Sequence, residues 1–190
     1  MSTPLRTQVR LITVEEFAEL PDDGKRYELV RGVVREMSPT NQDHGEVGSQ
    51  VSYLLRRWTK RRRIGRVRIE TGHVLARNPD TLRGPDVSFV RYARDGDVDG
   101  PWVKGGPDLA VEIRSPGDRQ REIDERVADY LRAGTSLVWI VDPRKRTVVV
   151  RVAGAEDRTL TEADHLDGGA VLPGFRVAVR EVFEDLDAKG

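Results

Sequence analysis

The chain has 190 residues, 37% of them hydrophobic and 34% charged, with 32 basic side chains balancing 32 acidic ones and no cysteine. This size and balance predict one globular domain over residues 1–190, its core at about 13–183, needing no covalent staples. They exclude disulfides and thiolate metal sites, and with no apolar run near ~18 residues and no signal-peptide pattern they predict a soluble, cytoplasmic protein.

In chain order, Thr13 with Glu16 forms a capping box that opens a short helix through Leu20. Arg26 to Met37 reads as a hairpin, RYELV then VVREM, turned at Arg31-Gly32. A long helix is predicted from about Asp43 to Arg63, its buried stripe being Val47, Val51, Leu54, Leu55 and Trp58. Strands are predicted near Arg66–Glu70, His73–Leu75, Asp86–Val90 and Leu109–Arg114. A second helix, about Gln120 to Ala133, ends at Gly134, where a left-handed cap is easiest. The apolar strand LVWIV runs to Val141 and stops at Asp142-Pro143; Thr147–Val152 follows. The tail offers a short strand near Phe175–Val179 and a last helical turn. Strands around two helices predict an α/β (α+β) fold, a mixed central sheet flanked by helices with an N-terminal hairpin.

Charge is unevenly spread. Between Arg56 and Arg68 stand Arg56, Arg57, Lys60, Arg61, Arg62, Arg63, Arg66 and Arg68, with no acid, whereas acids outnumber bases beyond Gly154. Such a stripe on a neutral body serves phosphate binding at one face, or a solvated helix end, and composition leaves both open.

The chemistry concentrates in PDVSFV at Pro85–Val90 and LAVEIRSP at Leu109–Pro116. By the two-residue period of strands, Leu109, Val111 and Ile113 point one way and Ala110, Glu112 and Arg114 the other. A carboxylate inside an apolar strand is costly to bury unless a partner or a metal neutralises it. Asp86 lies on the face opposite Val87 and Phe89, so on neighbouring strands Asp86 and Glu112 converge. Two hard oxygen ligands suit Mg2+ or Mn2+. The competing account is two strand-end acids paired with nearby arginines. His44 and His73 lack paired-histidine spacing and are assigned surface or supporting roles.

The order PD…E-x-R-S-P, a helix ending DYLRAG, then LVWIVDP resembles the Uma-type restriction endonuclease family, within the PD-(D/E)XK nuclease superfamily. The likeness runs from TVEEF to PGF and includes Tyr27-Glu28-Leu29, Gly32, Pro39-Thr40, His44, Tyr130, Gly134 and Trp139. It implies a restriction-endonuclease-like fold and a phosphodiester-cleaving site. Asp86 and Glu112 would be metal ligands, joined by the carbonyl of Ile113. Glu28 matches an acid of the family's first hairpin and completes the acidic cluster or remains an ordinary strand glutamate. His44 falls where members carry a histidine at a helix start, in the site or as a cap.

The chain departs from the superfamily at lysine. Arg114 stands two positions past Glu112 and Arg126 four before Tyr130, in a chain with 27 arginines and five lysines. Arg126 lies three residues after Ile123, at the edge of its helix's buried face. Arginine can steady phosphoryl charge but cannot give up a proton near neutrality; a metal-activated water makes that base dispensable. The sequence therefore predicts a Mg2+-dependent endonuclease acting on DNA, with Asp86, Glu112 and Glu28 clustered at one end of the central sheet. Arg114 and Arg126 would stabilise charge, while Arg56, Arg57, Lys60, Arg61, Arg62 and Arg63 contact the backbone. A homodimer would suit double-strand cutting. The rival is a non-catalytic nuclease-fold module that binds nucleic acid or protein.

Overall fold

The structure, a computed structural model, describes residues 10–96 and 98–187. Helix α1 (Val14–Ala18) opens on the predicted capping box: the Thr13 hydroxyl accepts from the Glu16 N–H, and Glu16 reaches back to the Thr13 N–H at 2.9 Å. The helix ends before Leu20. Strands β1 (Arg26–Val30) and β2 (Val33–Met37) pair antiparallel across a two-residue turn, with φ at +50° for Arg31 and +77° for Gly32. Both central residues being left-handed matches the twist of a tight hairpin. A side chain at position 32 would also meet Leu11, its Cβ lying 2.8 Å from that of Leu11.

Helix α2 (Gln42–Arg62) starts where the Asn41 side chain accepts the His44 N–H at 3.1 Å, and ends on Arg63 in a left-handed conformation. There follow β3 (Gly65–Ile69), β4 (His73–Ala76), β5 (Thr81–Arg83), β6 (Val87–Arg91), β7 (Val98–Asp99), β8 (Trp102–Lys104) and β9 (Leu109–Ile113). Helix α3 (Gln120–Arg132) leads to β10 (Leu137–Asp142) and β11 (Thr147–Val152). The chain closes with β12 (Arg158–Leu160), β13 (His165–Gly168), β14 (Leu172–Ala178) and two short turns of 3-10 helix. No helix among the described residues is long and apolar enough to cross a membrane.

The strands form two six-stranded sheets and a separate β13–β14 hairpin. The central sheet runs β12-β11-β10-β9-β6-β3; every pair is antiparallel except β9–β10, which is parallel and bridged by α3. The second sheet runs β2-β1-β5-β4-β8-β7. Strands β5, β7, β8, β12 and β13, absent from the sequence reading, span four residues or fewer. Such segments are too short for periodicity to declare them.

The strand phase divides the core as β9 alternates. Leu109, Val111 and Ile113 join Val47, Val51, Leu54 and Leu55 of α2, with Trp139 and Phe175 beyond. On the other face Ala110 meets Ile123, Val127 and Tyr130 of α3, beside Val138 and Ile140. Each such aliphatic side chain contributes about 1.5–3 kcal/mol through burial. A third cluster, Val14, Leu29, Val74 and Leu82, fastens α1 to the second sheet. Helix α3 also packs against β4, and so lies where the two sheets approach.

Candidate active site

Strands β6 and β9 pair with Val87 opposite Val111, and the next step along that antiparallel ladder brings Asp86 beside Glu112. Asp86 keeps 9% of its surface exposed and Glu112 only 1%. The Ile113 N–H donates to Asp86 Oδ2 at 2.7 Å, and His44 Nε2 lies 3.2 Å from the same oxygen. Asn41, not His44, caps α2, leaving the imidazole free to hold Asp86. Burial pulls the His44 pKa down, but the hydrogen bond and charge of Asp86 outweigh it and the net shift is upward.

Glu112 has both oxygens occupied. The Tyr130 hydroxyl donates to Oε1 at 2.6 Å, and Arg126 Nη1 donates to Oε2 at 2.9 Å. The two donors are four apart on α3 and therefore share a face. Burial pushes the Glu112 pKa up to about 7; Arg126 opposes this, while the negative charge of Asp86 adds to it. Burial likewise raises the Tyr130 hydroxyl. Arg126 resists the pull of burial because Glu112 and Glu28 both face it.

Glu28 reaches this group from a different sheet than the sequence reading expected. It sits on β1 of the second sheet, 5% exposed, with Oε2 3.9 Å from Arg126 Nη2. Its principal partner is Arg83 of β5, 2% exposed, whose Nη1 donates at 2.9 Å. The same guanidinium grips Asp129 of α3 through Nε and Nη2, at 2.8 and 2.6 Å. At the rim, Arg31 and Arg35 hold Glu125 at 2.6 and 2.9 Å. These bridges join the hairpin to α3. Arg83 and Asp129 went unnoticed in the sequence because nothing local marks an arginine of a three-residue strand as buried. Tyr130 was readable as part of the inward stripe, though its bond to Glu112 was not.

The other expected residues go elsewhere. Arg114, placed by strand phase beside Glu112, lies beyond the end of β9, where Nη1 donates to Gln120 Oε1 at 2.8 Å and the side chain lines a neighbouring pocket. Arg56, Arg57, Lys60, Arg61, Arg62 and Arg63 are exposed at the C-terminal end of α2. From His44 to Arg61 the helix rises roughly 25 Å at ~1.5 Å per residue, so the stripe does not border the cleft. Arg66 and Arg68 leave it altogether to pair with Asp95. His73 is not at the surface: it is fully buried, its Nδ1 donating to the Gly105 carbonyl at 3.1 Å. Nε2 must then accept from the Ser88 hydroxyl, 3.4 Å away. The ring is neutral, and burial pushes its pKa down to about 4.

Asp86, Glu28, His44, Ile113, Arg83 and Arg126 line one cleft of about 430 Å³, with Glu112 sealed beneath Arg126. Three buried carboxylates about this cleft, Glu28, Asp86 and Glu112, face one buried guanidinium, Arg83, which Asp129 shares, and the half-buried guanidinium of Arg126. A surplus of negative charge in a low-dielectric site attracts either protons or a cation. Among the described residues no three His, Asp or Glu side chains converge closely enough to hold a metal ion. In kind, however, the donors fit a hard divalent cation: all are carboxylate or backbone oxygens, and Asp86 Oδ1 takes no hydrogen bond from the described residues. Glu112 would have to exchange one of its present donors for the ion.

The fold has a solved counterpart. A crystal structure titled "putative nuclease belonging to DUF820", from Anabaena variabilis ATCC 29413, superposes with a TM-score of 0.79 over 91% of this chain and 98% of its own, at 21% identity. No curated protein matches the chain. The family model named Uma2, described as "Putative restriction endonuclease", matches residues 14–180. With nearly the whole chain matched, from α1 to the turn after β14, the protein belongs to the Uma2 family of restriction-endonuclease-like proteins.

Proposed function

We propose that this protein is a metal-dependent endonuclease that hydrolyses phosphodiester bonds in DNA. The observation that carries the reading is the buried pair Asp86 and Glu112, side by side on adjacent strands under a cleft with surplus negative charge. Asp86, Glu112 and the carbonyl of Ile113 would hold Mg2+ or Mn2+, with Glu28 completing the acidic cluster. Such an ion supplies the Lewis acidity that makes water a nucleophile near neutral pH.

The remaining work falls to the protein's own side chains. His44 fixes Asp86, and Tyr130 fixes one oxygen of Glu112. Arg126 lines the cleft and carries a permanent charge, so it faces the phosphoryl oxygens and stabilises the charge that builds on them. It takes no proton from water. The exposed basic end of α2 attaches the duplex at a distance and positions it without reading bases. The chain would act as one catalytic domain, paired as a homodimer where both strands are cut.

A second reading rests on a specific contact. The Arg126–Glu112 pair closes the site in the way a lost metal would be replaced, as in a nuclease-fold module that binds nucleic acid without cutting it. Plasmid nicking with Mg2+ or Mn2+ by wild type, Glu112→Ala, Arg126→Lys and Arg126→Met separates the two. Catalysis requires wild-type nicking that Glu112→Ala abolishes; the role given to Arg126 adds no loss in Arg126→Lys and a fall of about 10²–10³ in Arg126→Met. Equal rates for wild type and Arg126→Met would remove Arg126 from the chemistry. No nicking by any of them, the lysine variant included, favours the non-cutting module.

A further inference from the structure

Beside the acidic cleft lies a second pocket of about 410 Å³, lined by Arg114, Ser115, Pro116, Asp118, Asp142, Arg144 and Lys145. Ser115, Pro116 and Asp118 line the cleft as well, so the two hollows share one wall. Its walls come from the loops that follow β9 and β10, the parallel pair, stitched where the Arg114 N–H donates to the Val141 carbonyl at 2.8 Å.

The charges in this pocket differ from those next door. Arg83 and Arg126 are each locked to carboxylates, whereas Arg114, Arg144 and Lys145 pair with none among the described residues. The pocket does contain two carboxylates, but both are turned onto backbone. Asp118 Oδ2 accepts the Ser115 N–H at 2.7 Å, and Asp142 Oδ1 accepts the N–H groups of Arg144 and Lys145 at 3.1 and 3.0 Å. Those bonds shape the two loops and leave the hollow net positive, with Arg144 and Lys145 exposed and the half-buried Arg114 held by the neutral side chain of Gln120.

We propose that this pocket binds a backbone phosphate flanking the one in the acidic cleft, on the same nucleic-acid strand. The proposal rests on the endonuclease reading and deepens it, since the wall formed by Ser115 and Pro116 is shared and a strand leaving the cleft over it enters this pocket. Arginine forks suit phosphate oxygens in a bidentate way, and lysine adds a point charge. Arg114 is thereby a substrate-binding residue rather than a partner of Glu112.

The test measures binding without metal by anisotropy of a fluorescein-labelled duplex of ~20 base pairs across a salt series, where each lost phosphate contact lowers the slope by about 0.9. Arg144→Gln/Lys145→Gln and Arg114→Gln are compared with Arg176→Gln/Arg180→Gln, an equal loss of charge on exposed residues elsewhere. The pocket variants should lower the slope by one to two and raise KM for nicking with kcat unchanged; the control pair should do neither. A methylphosphonate walked along the strand should weaken wild type at one position beside the cut, with no further loss in the double variant. An unaltered slope in the pocket variants while wild type binds and nicks overturns the subsite and spares the endonuclease reading. An equal fall in the control overturns it in favour of general charge. No binding of the duplex by wild type overturns both.

Discussion

The two ends of α2 handle charge in opposite ways. At its first turn His44 meets Asp86, and the buried carboxylates nearby, Glu28 and Glu112, are each held by an arginine. At its last turns Arg56, Arg57, Lys60, Arg61, Arg62 and Arg63 stand in water, two of them resting on aromatic rings, Arg57 over Tyr53 at 5.4 Å and Arg62 over Trp58 at 4.2 Å. Bases in that position also complement the carbonyl end of the helix dipole. Charge at the cleft is therefore a matter of geometry, and charge at the far end a matter of solvent and salt.

The sharpest break of that contrast is Arg83→Met. It takes from Glu28 and Asp129 their one fully buried cation, leaving Arg126 3.9 Å from Glu28 and the exposed Arg132 2.7 Å from Asp129, and removing one partner of a buried pair costs about 3–5 kcal/mol. Urea unfolding of the variant should register that loss; a change below ~1 kcal/mol would mean the cleft tolerates unpaired charge as the far end does.

His73 tests whether burial, aided by the nearby charges of Arg68 and Arg94 and without a carboxylate partner, fixes a charge state. Its folded pKa is depressed to about 4, so the stability it contributes is present above its ordinary value near 6.5 and is lost as pH falls toward 4. Between pH 7 and pH 4 wild type should lose on the order of 3 kcal/mol more than His73→Gln. Parallel pH profiles for the two proteins would show that the imidazole accepts its proton in place.

The smallest effect belongs to the far end. Arg61→Gln/Arg62→Gln/Arg63→Gln should shift stability by no more than about 0.5 kcal/mol per site. In the same protein the salt slope of duplex binding should flatten by roughly 0.9 per phosphate contact removed. An unchanged slope would assign these arginines to solvation alone.

The sequence displayed what is local and periodic. The capping box of Thr13 and Glu16, the Arg31-Gly32 hairpin, the stripes of α2 and α3 and the alternation along β9 all appear in the structure where three or four neighbours dictate them. The adjacency of Asp86 and Glu112 was readable because two strands in phase left few alternatives. What stayed hidden is long-range. Arg83 meets Glu28 across 55 positions and Asp129 across 46, and a three-residue strand carries too little pattern to foretell either. Arg114 misled because it lies one residue past the end of β9, where its side chain is drawn to Gln120 rather than to Glu112.

The parallel pair β9–β10 and its bridging helix also bias the order of assembly. Glu112 finds Arg126 fourteen residues away and Tyr130 eighteen, inside one strand–helix–strand unit. Asp86 reaches the unit over 27 residues, and Glu28 is tethered to Arg83 over 55. Contacts of short loop length form at lower entropic cost and favour rapid folding. Loop length alone thus favours Glu112 meeting its cation and its hydroxyl before Asp86 and Glu28 reach them.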